Sequence, residues 1–199
     1  MWHRIKNIFS PFNKESSFIK NKLDNNIVVP ESQENIFITK FNSSGGKFIY
    51  CDNQDEISDT LHNIISENSL ESIICFDNQL QNILSSNNIS YHTSINPLKK
   101  ENEFMFLNCE NLIAFEGSIM VSSDQIKFFR VTELTRNLII YSNCNQITTN
   151  LSSALRRIKS EKENNLPSNI TTIKALKSNG FEDSTILKNI YLLMLGEIK

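Results

Sequence analysis

Glycine is scarce in this chain, with five among 199 residues. That excludes a glycine-rich phosphate cradle built from sequence neighbours, and neither a P-loop nor a G-x-G-x-x-G pattern occurs. No serine stands in a G-x-S-x-G elbow. The four cysteines, Cys51, Cys75, Cys109 and Cys144, form no C-x-x-C pair, so zinc and iron–sulfur signatures are missing. Cys51 and Cys75 sit at the ends of apolar runs, as small buried residues do, and reduced thiols imply a cytoplasmic location. His3, His62 and His92 lack an H-x-x-x-H spacing and have no cysteine beside them. No metal and no cofactor of its own is expected. Long apolar runs are absent too. Ile190–Leu195 is far short of the roughly 20 residues that span a bilayer. The first residues lack the apolar core of a secretory signal. A formal charge of −2 gives no overall pull toward nucleic acid.

Asparagine and isoleucine are abundant, at 27 each. Both have A/T-rich codons, which points to a low-GC, bacterial genome and discounts any single surface Asn. Apolar content of 39% with 13 Phe describes a globular chain. At this length one domain buries roughly 70% of its unfolded surface. Residues 1–23 carry five Lys/Arg and one Glu. Trp2, Ile5, Ile8, Phe9 and Phe12 lie on one face of a short helix broken at Pro11. This segment reads as a tail packed on the domain, with a weak membrane-surface or protein contact as the functional alternatives. With the polar linker 24–33 it forms a basic N-terminal segment, residues 1–33. The domain proper is 34–199.

Inside the domain the pattern alternates. A helix from Glu34 closes at Gly45-Gly46. The strand 47–51 precedes a helix with Ile57, Leu61, Ile64 and Ile65 on one face. A strand at 72–76, a helix capped by Asp77 and a strand at 89–92 follow. Alternation of this kind builds a mostly parallel sheet between helices. The second half is denser in strands. "EFMFLN", "NLIAF" and "SIMVSS" follow so closely that a hairpin or meander is expected. "NLIIYS", an amphipathic helix with Ile147, Leu151, Leu155 and Ile158 inward, "SNITTIK" and "KNIYLLML" complete the chain.

Three places carry candidate chemistry. Arg156, Arg157, Lys159 and Lys162 lie opposite the apolar face of their helix and read as a solvated face, with no aromatic platform for nucleic acid. Glu116-Gly117-Ser118 is a turn or bulge that could border a ligand. "LPSNITTIK" is a Pro-led turn in which Ser168, Thr171 and Thr172 could offer hydroxyls to an anion, although Thr and Ile also simply belong in strands.

Taken in order along the chain, "GGKFIYCDNQDEISDTL", "CENLIAFEGSIMVSS", "NLIIYSNCNQITTNL" and "LPSNITTI" resemble the LUD-domain family of LutC-like (YkgG-like) lactate-utilisation proteins. "KNIYLLML" is similar to the closing strand of its small bacteroidete members. The resemblance spans about residues 35–199. It implies a three-layer NagB/RpiA/CoA-transferase-like α/β fold with a mostly parallel sheet and a hairpin-rich second half. It also implies lactate or related organic-acid utilisation beside an FAD/iron–sulfur-type subunit and a cluster-bearing subunit. Lacking cluster ligands, this chain would be the accessory component. The family's A-E-T-G-[ST] segment puts Phe115 in the Glu slot and Glu116 in the Thr slot. Its G-P-S-R-T-A-D-I segment puts Asn169 in the Arg slot and Thr172 in the Asp slot. An Arg is a bidentate anion fork that Asn does not replace. One residue along a strand points to the opposite face, so Glu116 does not simply inherit the Glu role, and a bulge at Gly117 would have to re-aim it. The candidate site is Glu116 as the catalytic carboxylate on those terms, with Gly117, Ser118, Ser168, Asn169, Thr171 and Thr172 binding a small organic anion. The alternatives are an acyl- or anion-binding enzyme that uses Glu116, and a peripheral adaptor docked by the basic N-terminus.

Overall fold

The computed structural model describes residues 32–95, 103–163, 165–175 and 187–196. The basic segment 1–23 and most of the linker lie outside the described residues.

Helix α1 (Gln33–Ser43) begins where the Ser32 hydroxyl caps the Asn35 amide at 3.2 Å. It ends in a turn at Gly45, whose φ of +93° is the left-handed conformation glycine tolerates best. Strand β1 (Lys47–Cys51) leads to α2 (Gln54–Glu67), capped by Asn53 and burying Ile57, Leu61 and Ile64. β2 (Ile73–Ile74), α3 (Asn78–Ser86) and β3 (Tyr91–His92) follow. The expected strands at 72–76 and 89–92 are thus two residues each.

β4 (Phe104–Asn108), β7 (Asn137–Asn143) and β10 (Leu187–Leu195) complete a parallel sheet in the order β3-β2-β4-β7-β10-β1. β10 is its spine, in register with β7 from Asn189 to Leu195 and with β1 from Tyr191 to Leu195. Near-continuous apolar runs suit strands covered on both faces. Alternate residues serve two cores. Phe104, Phe106, Ile139 and Leu193 pack with α2 and α3, while Met105, Leu107, Leu138, Ile140 and Leu192 pack with Phe37 and Phe41 of α1. Each such side chain contributes about 1.5–3 kcal/mol by leaving water.

A smaller sheet covers the α1 side. β5 (Asn111–Ile113) and β6 (Ser118–Ser122) form an antiparallel hairpin. β8 (Ile147–Thr148) flanks β5, and β9 (Ile170–Ala175) flanks β6 and touches the start of β10. Of the expected hairpin or meander, it is the hairpin that forms. β4 belongs to the parallel sheet, and the hairpin is β5–β6. A short helix α4 (Ser123–Ile126) leaves β6, and α5 (Leu151–Lys162) lies on the outer face of the small sheet. There Ala154 and Ile158 meet Ile113 and Met120. Leu151 and Leu155, expected inward, are 39% and 41% exposed. Ile147 is a strand residue, so the helix starts later and its buried stripe rotates toward Ala154. The outcome is the α/β architecture with a mostly parallel sheet expected from the alternation.

Candidate functional site

The predicted site residues separate into two groups. Ala114–Gly117 is a turn closing the β5–β6 hairpin, with the Gly117 amide donating to the Ile113 carbonyl at 2.9 Å. Gly117 has φ +59°, and a Cβ there would stand 2.8 Å from the backbone of α1 at Lys40–Phe41. Glycine is needed because a turn and a helix meet at this point. Lys40 fastens the contact by donating to the Phe115 carbonyl at 2.6 Å. Glu116 is exposed, and its Oε2 accepts from the buried Ser118 hydroxyl at 3.2 Å. Phe115, in the slot of the family's Glu, is 51% exposed.

Ser168 and Asn169 lie at the other end of the hairpin strand. The Ser168 amide donates to Ser123 Oγ at 3.1 Å, and the Ser123 amide donates to the Asn169 carbonyl at 2.9 Å. Thr171 and Thr172 pair with Val121 and Met120 inside the sheet and are half-buried. Four residues of strand, about 14 Å, separate Ser118 from Ser122. Glu116 and Ser118 thus stand apart from Ser168 and Asn169.

Beside the second group is a polar cluster that sequence reasoning missed. Glu110, in the link between β4 and β5, has a side chain only 9% exposed. Its Oε1 accepts from Ser122 Oγ at 2.6 Å, Gln125 Nε2 at 3.0 Å and Lys162 Nζ at 2.6 Å. Lys162 also pairs with Asp124 at 2.6 Å. Burial works against ionising Glu110, but the hydrogen bonds from Lys162, Ser122 and Gln125 outweigh it and hold the carboxyl below its usual range. For Lys162 burial opposes the charge, and the two carboxylates overcome it and raise the ammonium. Lys162 is therefore no part of a solvated face. Arg157, also assigned to that face, pairs with Glu161 and donates to the Asn145 carbonyl. The available signal was Glu110 itself, a charge set between two apolar strands. An open cleft of about 440 Å³ beside the cluster is lined by Asp124, Ser160, Glu161, Lys162, Glu163 and Asn165.

The parallel sheet has a point where its strand order reverses. The chain runs outward from β2 to β3 and then crosses to β4 and β7, so strand order reverses between β2 and β4. Ligands of open α/β sheets bind at such reversals, at the carboxyl ends of the strands. Asp77 follows β2 and caps α3 through Oδ1, at 2.8 Å from the Gln79 amide and 2.9 Å from the Leu80 amide. Its Oδ2 accepts from Asn108 at the end of β4, at 3.2 Å. Phe76, just after β2, stacks on Phe129 with ring centres 5.6 Å apart. On the far side of Asn108, Gln146 donates to the Cys109 carbonyl at 2.6 Å. Among the described residues no group of three or more His, Cys, Asp or Glu side chains is placed to hold a metal ion.

The sequence matches the LUD domain over residues 35–190, most of the chain. The chain belongs to the LUD-domain family. The fold agrees with this. A DUF162-family protein from Deinococcus radiodurans, known from a crystal structure, superposes with a TM-score of 0.60 at 10% identity, over 84% of this chain and all of that one. No curated protein matches the sequence. In this LUD domain no helix among the described residues is long and apolar enough to cross a membrane.

Proposed function

We propose that this LUD-domain chain is an accessory, non-catalytic component of lactate or related organic-acid utilisation, working beside iron–sulfur partner subunits. One observation carries the reading. The charged groups near Ser168 and Asn169 are already engaged with one another. Glu110 holds three donors and Lys162 bridges two carboxylates. A carboxyl held below its usual range is a weak general base, and a substrate carboxylate needs a cation that is not already neutralised by two carboxylates. In the cleft beside them Asp124 is paired with Lys162 and Glu161 with Arg157, and Glu163 adds a further negative charge, a lining that does not attract small organic anions. Asn169 and Thr172 supply no charge where the family motif has Arg and Asp.

The test is lactate-dependent dye reduction by the reconstituted iron–sulfur subunits, with and without this chain. A Glu116→Ala, Ser168→Ala double variant is expected to support turnover as well as the wild type does. Loss of turnover with normal partner binding would make the chain a catalytic subunit instead.

A further inference from the structure

The turn between α4 and β7 holds two consecutive phenylalanines in opposite environments. Phe129 is tucked in, stacked on Phe76 against the core. Phe128 is 101% exposed and buries nothing. Single exposed apolar residues are ordinary on surfaces, but this one is held out by backbone geometry. The Phe129 amide donates to the Ile126 carbonyl at 3.1 Å and closes a tight turn. Its second residue, Lys127, has φ +56° and ψ −124°. Those angles belong to the first central position of a type II′ turn, where glycine is favoured. The chain keeps a lysine there despite the strain. Exposed Lys127 and Arg130 thus flank Phe128. The nearby acid, Glu133, turns back to accept from the Arg130 amide at 2.7 Å. The tip is one aromatic side chain between two cations.

We infer that the Lys127–Arg130 turn is a docking knob, with Phe128 seated in an apolar pocket rimmed by carboxylates on a partner protein. An aromatic anchor beside Arg is the composition of an interface hot spot, and flanking cations steer a docking surface toward an acidic rim. A lipid bilayer fits less well. One Phe and two cations make a single weak signal, whereas stable membrane attachment takes two. Phe129 roots the knob in the core beside Phe76, so the tip is presented from a fixed base. The inference rests on the accessory reading above for the partner's identity.

The experiment measures binding of the full chain to the purified iron–sulfur subunits by biolayer interferometry at two salt concentrations. Phe128→Ala is expected to weaken binding at least 10-fold, with unchanged circular dichroism and melting temperature, since the side chain supports nothing in the fold. A Lys127→Glu, Arg130→Glu variant is expected to lower the association rate and remove most of its salt dependence. Wild-type binding that Phe128→Ala leaves within twofold would overturn the knob and spare the accessory reading. No binding by wild type would overturn both. Phe128-dependent capture by phosphatidylserine vesicles, or Phe128-dependent self-association in light scattering, without an effect on the subunits, would assign the knob to lipid or to a second copy and overturn the protein partner.

Discussion

Two residues with positive φ show how differently a chain can treat the same backbone demand. Gly117 meets it with the residue that suits it, and also needs the missing Cβ because the backbone of α1 is 2.8 Å from that position. Gly117→Ala is expected to cost about 2–4 kcal/mol, combining a left-handed non-glycine residue with overpacking against a helix. A denaturant midpoint shift with unchanged slope would measure it. Lys127 meets the demand with the wrong residue and has room around it. Lys127→Gly is expected to stabilise the protein by about 1 kcal/mol, the strain relieved less the added chain entropy. A rise in melting temperature checks this. Gly117 was legible from the sequence as a bend, since glycine inside a strand pattern has few other uses. Its contact with α1 was not, because the partner lies some 75 residues earlier. Lys127 left no trace, as nothing in "QIKFFR" announces a turn that favours glycine.

At the scale of elements, α5 is tied down at its end by Lys162. The helix carries its buried stripe through Ala154 and Ile158 only. The Lys162 bridge to Glu110 and Asp124 therefore holds the last turn to the link before β5 and to α4. Its pH dependence follows from the two shifts. Glu110 has a lowered folded-state pKa, so its contribution is fully present above the ordinary carboxyl value of about 4.3 and is lost as pH falls through the lower folded value. Lys162 has a raised one, so its contribution is full below about 10.4 and lost as pH rises through the folded value. The bridge is thus intact across neutral pH. Below about pH 4 the wild type is expected to lose stability that Glu110→Gln never had, so the two denaturation midpoints converge on acidification. Amide exchange at the end of α5 reports the same event locally. The misreading of α5 has a physical cause. Helical periodicity fixes a face only once the start is known, and Ile147 obeys strand pairing with Leu112 instead. The N-caps and the apolar strands were legible because they depend on neighbours in sequence. The Glu110 cluster depends on residues up to 52 positions apart, which no local pattern encodes.

For the whole molecule, three cysteines mark the parallel sheet from within. Cys51 ends β1, Cys75 follows β2 and Cys109 follows β4, and all are buried free thiols. Burial pushes Cys51 and Cys75 up to about 11 and Cys109 further still. A thiol reagent at pH 8 is expected to modify only the partly exposed Cys144 rapidly, and the other three at the rate of global opening. Fast labelling of more than one thiol in the native protein would contradict this packing. The overall architecture was the most legible level, because alternating strand and helix patterns leave few ways to build a covered sheet. The candidate site was the least. Its residues were read from two segments, the β5–β6 turn at Glu116–Ser118 and the entry to β9 at Ser168–Thr172, and the structure sets them at opposite ends of β6.

The spine of the sheet has a consequence for synthesis. β10 is the last strand described, yet it lies between β7 and β1. While the ribosome is still adding residues before Leu187, β1 has no way to join β7, and both present open, apolar edges. The nascent chain must therefore wait, collapsed but unsealed, until β10 emerges. Such edges invite pairing between molecules. A chain stopped at residue 186 is expected to accumulate as aggregate, and supplying residues 187–199 as a separate peptide during refolding is the measurement that would show the gap being filled.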